Sequence, residues 1–210
     1  MKRRTFLTSL GAVSATGVLA AAEPPSCVRS LTADVLIIGG GTAGTIAAIQ
    51  AGRLGARTIL VESGSHLGGT TTTAGVDFPG LFHAWGKQVI AGIGWELVTA
   101  TAKLNDDELP DFAQPTGSKH WKHQVRICGA LYAALAEEAC VKAGVQLRYY
   151  EFPIAIAPTP DGWSVRLAGK GTSVEIKTKQ VVDCTGNASV VGMIGLPRWR
   201  EKTTQPGTLI

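Results

Sequence analysis

The chain has 210 residues, of which 45% are hydrophobic, 6% aromatic and 26 are glycine. That size fits one domain, or one and the start of another, and the composition fits an α/β protein with many tight turns while excluding a disordered or collagen-like chain. The formal charge of +4 sits largely in Lys2, Arg3 and Arg4; beyond them 17 basic residues face 16 acidic ones, so no basic stripe points to nucleic acid.

The chain opens "MKRRTFLTSLGAVSATGVLAAAEPPS". Residues 1–22 read as a signal peptide, with a basic start, an apolar stretch from Phe6 to Ala22 and a small-residue cleavage site at Ala20–Ala22. The apolar stretch contains Thr, Ser and Gly and is too weak for a membrane anchor. Arg3-Arg4-Thr5-Phe6-Leu7 resembles the twin-arginine export motif, with an ordinary secretory signal as the alternative. Either route implies a periplasmic or secreted protein. The twin-arginine route carries folded cargo and suits a protein that acquires a cofactor before export. Residues 23–32 read as a Pro- and Ser-containing linker, and 33–210 as the folded domain.

"ADVLIIGGG" reads as a buried strand bounded by glycine, and Ala43 to Leu54 as a helix rich in small residues. "ARTILVES" is a second buried strand. Strand, helix and strand within about thirty residues form a βαβ unit, which favours a parallel sheet. "GSHLGGTTTTAG" is a Gly/Thr loop. Lys87 to Leu104 and His123 to Ala143 read as helices, the second closed by Gly144. "VQLRYY" is a strand. "IAIAPT", "WSVRLAG" and "SVEIKTK" then read as a three-stranded antiparallel meander with turns at "PDG" and "GKG". "QVVDCTGNAS" returns to a buried strand and a glycine turn. The fold class is therefore α/β: a Rossmann-like domain with a parallel sheet, plus the meander.

Cys27, Cys128, Cys140 and Cys184 form no CxxC pair, and no His stands at metal-ligand spacing, so no metal site is expected. Cys184 lies in an apolar strand and reads as a buried thiol.

Gly39, Gly41 and Gly44 form G-x-G-x-x-G directly after a strand and at a helix start. The first permits the tight turn, the second lets the backbone approach a pyrophosphate, and the third lets the helix pack on the strand. The helix start offers unpaired N–H groups to the phosphates. Ala48 and Gly55 extend the pattern of small residues. Glu62 ends the second strand, 18 residues past Gly44, where a carboxylate can accept hydrogen bonds from both ribose hydroxyls of an adenosine. The pattern predicts a bound dinucleotide.

At this point the chain resembles a family. "DVLIIGGGTAGTIAAIQAGRLGARTILVESGSHLGGTTTTAG" is similar to the N-terminus of FAD-dependent oxidoreductases of the glutathione-reductase-like fold. "LGGTTT" resembles the Gly-Gly loop that these proteins lay along the pyrophosphate and ribityl chain. "VVDCTGNAS" resembles their late A-T-G motif, with Cys184 in place of Ala and with Asn187 and Ser189 where acidic residues are common. The resemblance spans about Thr32 to Ile210. It implies FAD as cofactor, and the meander and return strand favour FAD over NAD(P). It implies cofactor contacts at Gly39, Gly40, Gly41, Thr42, Ala43 and Gly44, at Glu62 and Ser63, and at Gly68, Gly69 and Thr70. Thr185 and Gly186 would lie near the cofactor through their backbone. A backbone contact to adenine falls at Phe152, beside Pro153, which lacks an N–H.

No catalytic residue is assigned. His66, beside the Gly-Gly loop, reads either as a flavin neighbour or as a loop residue. His83 and Trp85 in "GLFHAWGK" read either as substrate-facing or as packing residues. His120 and His123, at i and i+3, read as a solvated helix start, and Asp106, Asp107 and Glu108 as a solvated loop. The resemblance further implies a substrate domain after this point, so the chain reads as the N-terminal part of a longer architecture, with its C-terminal substrate domain missing. The expected activity is hydride transfer from a small-molecule substrate to FAD and on to an unidentified acceptor. The alternatives are an inactive dinucleotide-binding module or remnant that needs a partner chain, and an NAD(P)-dependent oxidoreductase.

Overall fold

Aliphatic runs bounded by glycine form the centre of the molecule. The computed structural model describes residues 29–199; the leader, Cys27 and the apolar tail "QPGTLI" lie outside them. Strand β1 (Arg29–Ile38) begins inside the expected linker and runs to the first glycine of the motif. Helix α1 (Thr42–Arg53) and strand β2 (Thr58–Glu62) complete the expected βαβ unit. The tips of β1 and β2 are buried on both faces. Ile37 and Leu60 belong to one core, and Leu36, Ile38, Ile59 and Val61 to the other. This is the two-residue alternation of a strand covered on both sides.

Six strands form one mixed sheet in the order β5-β2-β1-β8-β7-β6. Strands β5 (Gln146–Tyr149), β2, β1 and β8 (Thr172–Asp183) run parallel. Strands β6 (Phe152–Thr159) and β7 (Gly162–Gly169) extend the sheet antiparallel from β8. The meander and the return strand are therefore not separate. "SVEIKTK" and "QVVD" are one 12-residue strand, pairing with β7 through its first half and with β1 along nearly all its length. Nothing breaks it at Lys179–Gln180, where the sequence has neither Gly nor Pro.

Both long helices start later than their apolar patterns suggest. Residues 87–92 are not helical: His83–Ala84 (β3) and Lys87–Gln88 (β4) form a small hairpin, and helix α2 (Ile93–Leu104) starts only after Gly92, whose φ of +84° is left-handed. Residues 124–128 are not helical either. Val125 and Ile127 are buried while Arg126 is exposed, a period of two rather than 3.6. Helix α3 runs from Gly129 to Lys142, with Gly144 just past its end as expected. Helices α1, α2 and α3 enclose the first core with Tyr132 fully buried. A short helix, α4 (Ser189–Met193), covers the other face through Val190.

Candidate functional site

The carboxyl ends of β1, β2 and β8 open into one cleft of about 880 Å³. Gly39 turns the chain at the end of β1 with φ +101°. A Cβ there would stand 2.6 Å from the carbonyl carbon of Cys184, at the end of β8. At Gly44 a Cβ would overlap the carbonyl oxygen of Gly39, so α1 sits on β1 as closely as backbone allows. Gly41 differs: the nearest atom to its Cβ position is Gly69 Cα at 3.9 Å, and Gly41 itself lines the cleft. No side chain caps α1. The N–H groups of its first turn are left for an anion, where the helix dipole adds positive potential.

The Gly-Gly loop is tied to this turn by backbone. Gly68 N–H donates to Gly40 carbonyl at 2.9 Å, and Gly41 and Gly68 form a parallel bridge. Thr42 Oγ1 donates to Gly68 carbonyl at 3.2 Å and Thr45 Oγ1 to Gly40 carbonyl at 3.0 Å. Glu62 closes the arrangement. Its Oε2 accepts from Gly40 N–H at 2.7 Å, and its Oε1 accepts from Gly64 N–H at 2.6 Å and from Ser63 Oγ at 3.2 Å. A carboxylate has about four acceptor positions, which leaves capacity for ribose hydroxyls.

The turn after β8 is organised by Asp183, which the sequence reading did not single out. Its Oδ1 accepts from Thr185 N–H at 3.1 Å and Thr185 Oγ1 at 2.7 Å, and its Oδ2 accepts from Val191 N–H at 3.0 Å. Burial raises the Asp183 pKa, but the hydrogen bonds from Val191, Thr185 and Val190 outweigh it and the net shift is downward. Ser189 Oγ donates to Asn187 Oδ1 at 2.6 Å, so the two residues that stand where acidic ones are common hold each other. Cys184 lies just beyond β8 and is half-buried rather than inside the strand. Burial, then the Asp183 charge, raises its thiol pKa.

Gly39, Gly41, Thr42, Ala43, Glu62, Ser63, Gly69, Thr70, Phe152, Thr185 and Gly186 all line the cleft. Gly40, Gly44 and Gly68 do not line it but set its walls through the contacts above. Phe152 opens β6 opposite Ala168, next to a register shift between Pro153 and Ala155. Glu151, buried in a forked pair with Arg148, and Arg198 also line the cleft. Neither belongs to a motif; Arg198 reaches the cleft only because the chain folds back after α4.

The other candidates stand elsewhere. His66 lies outside the cleft lining, between Ser65 Oγ at 2.8 Å and Thr73 Oγ1 at 3.4 Å. Trp85 is 91% exposed at the hairpin turn. His83 is a packing residue: its ring stacks on Phe112 at 3.7 Å and meets Trp95 edge-on. His120 is exposed but His123 is buried, with Nε2 3.1 Å from Gln114 carbonyl, so this pair is not a solvated helix start. Their segment is a 3-10 turn well before α3.

The cleft fits a dinucleotide. It joins an uncapped helix N-terminus, a glycine face open to it and an acidic strand end. Phosphates suit the first two and a ribose suits the third.

The sequence matches the FAD dependent oxidoreductase family model over residues 34–209. The chain belongs to this family. Among curated proteins it is similar to nicotine dehydrogenase of Pseudomonas putida (strain DSM 28022 / S16), with 35% identity over 114 residues, 44% of this chain and 24% of that protein. It is 49% identical to the mitochondrial dihydrolipoyl dehydrogenase of Caenorhabditis elegans over 43 residues, 20% of this chain and 9% of that protein. Among solved structures it resembles the OxyS anhydrotetracycline hydroxylase of Streptomyces rimosus, with TM-score 0.55, 19% identity, 79% of this chain and 34% of that one. A geranylgeranyl bacteriochlorophyll reductase-like protein of Thermoplasma acidophilum gives TM-score 0.51, 14% identity, 80% of this chain and 43% of that one. These structures share the fold, and the chain spans less than half the length of each of the four proteins.

Proposed function

We propose that this chain is the FAD-binding part of an exported flavoenzyme that oxidises a small-molecule substrate and passes the electrons to a separate acceptor. One observation carries the reading: Gly41, the open first turn of α1 and the Glu62 carboxylate line a single cleft. The family membership favours FAD, and the partial likeness to nicotine dehydrogenase supports a dehydrogenase. The flavin, when bound, supplies the hydride-accepting centre. The chain's own residues hold it. The N–H groups of Thr42, Ala43 and Gly44 take the pyrophosphate, Glu62 the adenosine ribose, and the backbone at Thr185 and Gly186 the stretch toward the flavin. Ser63, Gly69, Thr70 and Phe152 line the rest of its path. No general base or substrate pocket is assigned among the described residues. Export would follow from the Arg3-Arg4 leader.

A second reading is a dinucleotide-binding module that works only with a partner. Phe152 and Met193 line the cleft yet are 51% and 37% exposed, and Leu196 and Trp199 stand exposed just after α4, which favours a cover over this side.

The test is to express residues 23–210, purify the protein, record its visible spectrum and identify any released cofactor. A flavin spectrum with released FAD supports the proposal. Retention of NAD(P), with no uptake of added FAD, would replace it by a nicotinamide-dependent enzyme. Binding of FAD without turnover, restored by a partner chain, would favour the module.

A further inference from the structure

We propose that Arg198 is the phosphate-binding cation of the cleft, set in place by Gly192; this rests on the FAD reading above. Three charged side chains line the cleft among the described residues: Glu62, Glu151 and Arg198. Glu151 is neutralised by Arg148, whose Nε and Nη2 donate to its two oxygens. Glu62 is engaged by backbone N–H groups. A dinucleotide adds two phosphate charges to this cleft, and Arg198 is the cation that lines it.

The guanidinium is held but not used up. Nη1 donates to Ala188 carbonyl at 3.2 Å, the one hydrogen bond Arg198 makes among the described residues. Among the described residues its other N–H donors have no partner, and a planar fork of donors suits phosphate oxygens. Gly192 makes the seat. A Cβ on Gly192 would stand 2.5 Å from Arg198 Nε and overlap the guanidinium carbon outright. The glycine of α4 is thus the recess in which the cation rests. The two sides of the cleft become complementary. The α1 start faces the phosphates from one face of the sheet, and Arg198 reaches them from the α4 face, where Val190 joins the second core.

Calorimetry on the apoprotein tests this with FAD, ADP and adenosine as ligands. Arg198→Gln should weaken FAD and ADP by about tenfold or more, the scale of a lost charge-assisted hydrogen bond. Adenosine, which lacks phosphate, should bind as before. Arg198→Lys should recover part of the loss. Gly192→Ala should reproduce the Arg198→Gln pattern, because the far end of a flexible side chain yields before the helix does; unchanged thermal melting confirms that the fold survives. Equal weakening of adenosine would overturn the proposal and make Arg198 an adenine-stacking residue. Unchanged FAD and ADP affinity would overturn it outright. If the unaltered protein takes no FAD, the FAD reading itself fails; if it takes FAD and the variants do so equally, only the Arg198 assignment fails.

Discussion

Glu62 and Gly40 are joined across 22 residues by a 2.7 Å hydrogen bond from the glycine N–H to the carboxylate. The end of β2 thereby holds the turn that follows β1. The same carboxylate lines the cleft, so one side chain shapes the glycine turn and, in the proposed reading, also accepts the ribose hydroxyls.

Glu62→Ala is therefore expected to lower FAD affinity by about 10- to 100-fold, since it removes charged hydrogen bonds to ligand and turn together. Glu62→Gln, which keeps one acceptor oxygen, should lose less. Titration of the apoproteins with FAD, followed by quenching of flavin fluorescence, gives both values. Equal affinity in all three proteins would remove Glu62 from the site.

Gly41 and Gly44 separate binding from stability. A Cβ on Gly44 overlaps the carbonyl oxygen of Gly39, while a Cβ on Gly41 meets nothing nearer than 3.9 Å. Gly44→Ala should destabilise the domain by about 1–3 kcal/mol, the cost of overpacking a close contact. Gly41→Ala should melt like the unaltered protein and yet bind FAD poorly, because its methyl enters the open space where the proposed reading places the pyrophosphate. Urea melts paired with FAD titrations check the contrast. A Gly41→Ala protein with full affinity would place the pyrophosphate elsewhere.

The same two glycines show why this half of the site is legible in the amino-acid sequence. Backbone turn, helix start and acidic strand end follow one another within about thirty residues, so spacing alone carries the geometry. Asp183 and Arg198 lack that advantage. Asp183 acts on Thr185 and on the N–H of Val191, eight residues on, across a turn whose shape no periodicity announces. Arg198 depends on a fold-back after a five-residue helix. The continuity of β8 was hidden for another reason. A strand that leaves an antiparallel meander and enters a parallel core changes partners, not its own backbone. The late starts of α2 and α3 trace to Gly92 and to the two-residue alternation at Val125–Ile127, both visible in the sequence but outweighed by the apolar runs that follow.

Asp183 predicts an acid-sensitive turn. Its carboxyl titrates below the ordinary range in the folded protein. A group with a depressed folded pKa stabilises the fold above its unfolded value of about 3.9, and that contribution is lost as pH falls through the folded value. Asp183→Asn should cost about 1–3 kcal/mol at pH 7, because an amide keeps one neutral acceptor oxygen and sets a donor NH2 where the other carboxylate oxygen accepts, so the bonds from Thr185 and the bond from Val191 cannot both survive. The gap between variant and unaltered protein should narrow below about pH 4, as the native carboxyl is protonated. Thermal melts between pH 3 and pH 7 read this directly. A gap independent of pH would mean that the charge contributes nothing.

His83 titrates with the opposite consequence for the fold. Burial, then the neighbouring His123, lowers its pKa, and its Nδ1 is buried without a hydrogen-bond partner among the described residues. The unfolded chain, with a value of about 6.5, binds the proton more readily than the folded one. Stability therefore rises with pH across this window, and acidification from pH 8 to pH 5 costs stability. His83→Phe keeps an aromatic ring on Phe112, removes the unpaired nitrogen and removes the titration. The variant should be more stable than the unaltered protein by about 1 kcal/mol at pH 8, and the difference should widen as pH falls. Urea melts at pH 8 and pH 5 provide the comparison. Parallel curves for the two proteins would show that His83 takes up its proton equally readily in the folded and unfolded chains, and a destabilised variant would show that its nitrogen has a partner that the packing of Phe112 and Trp95 does not reveal.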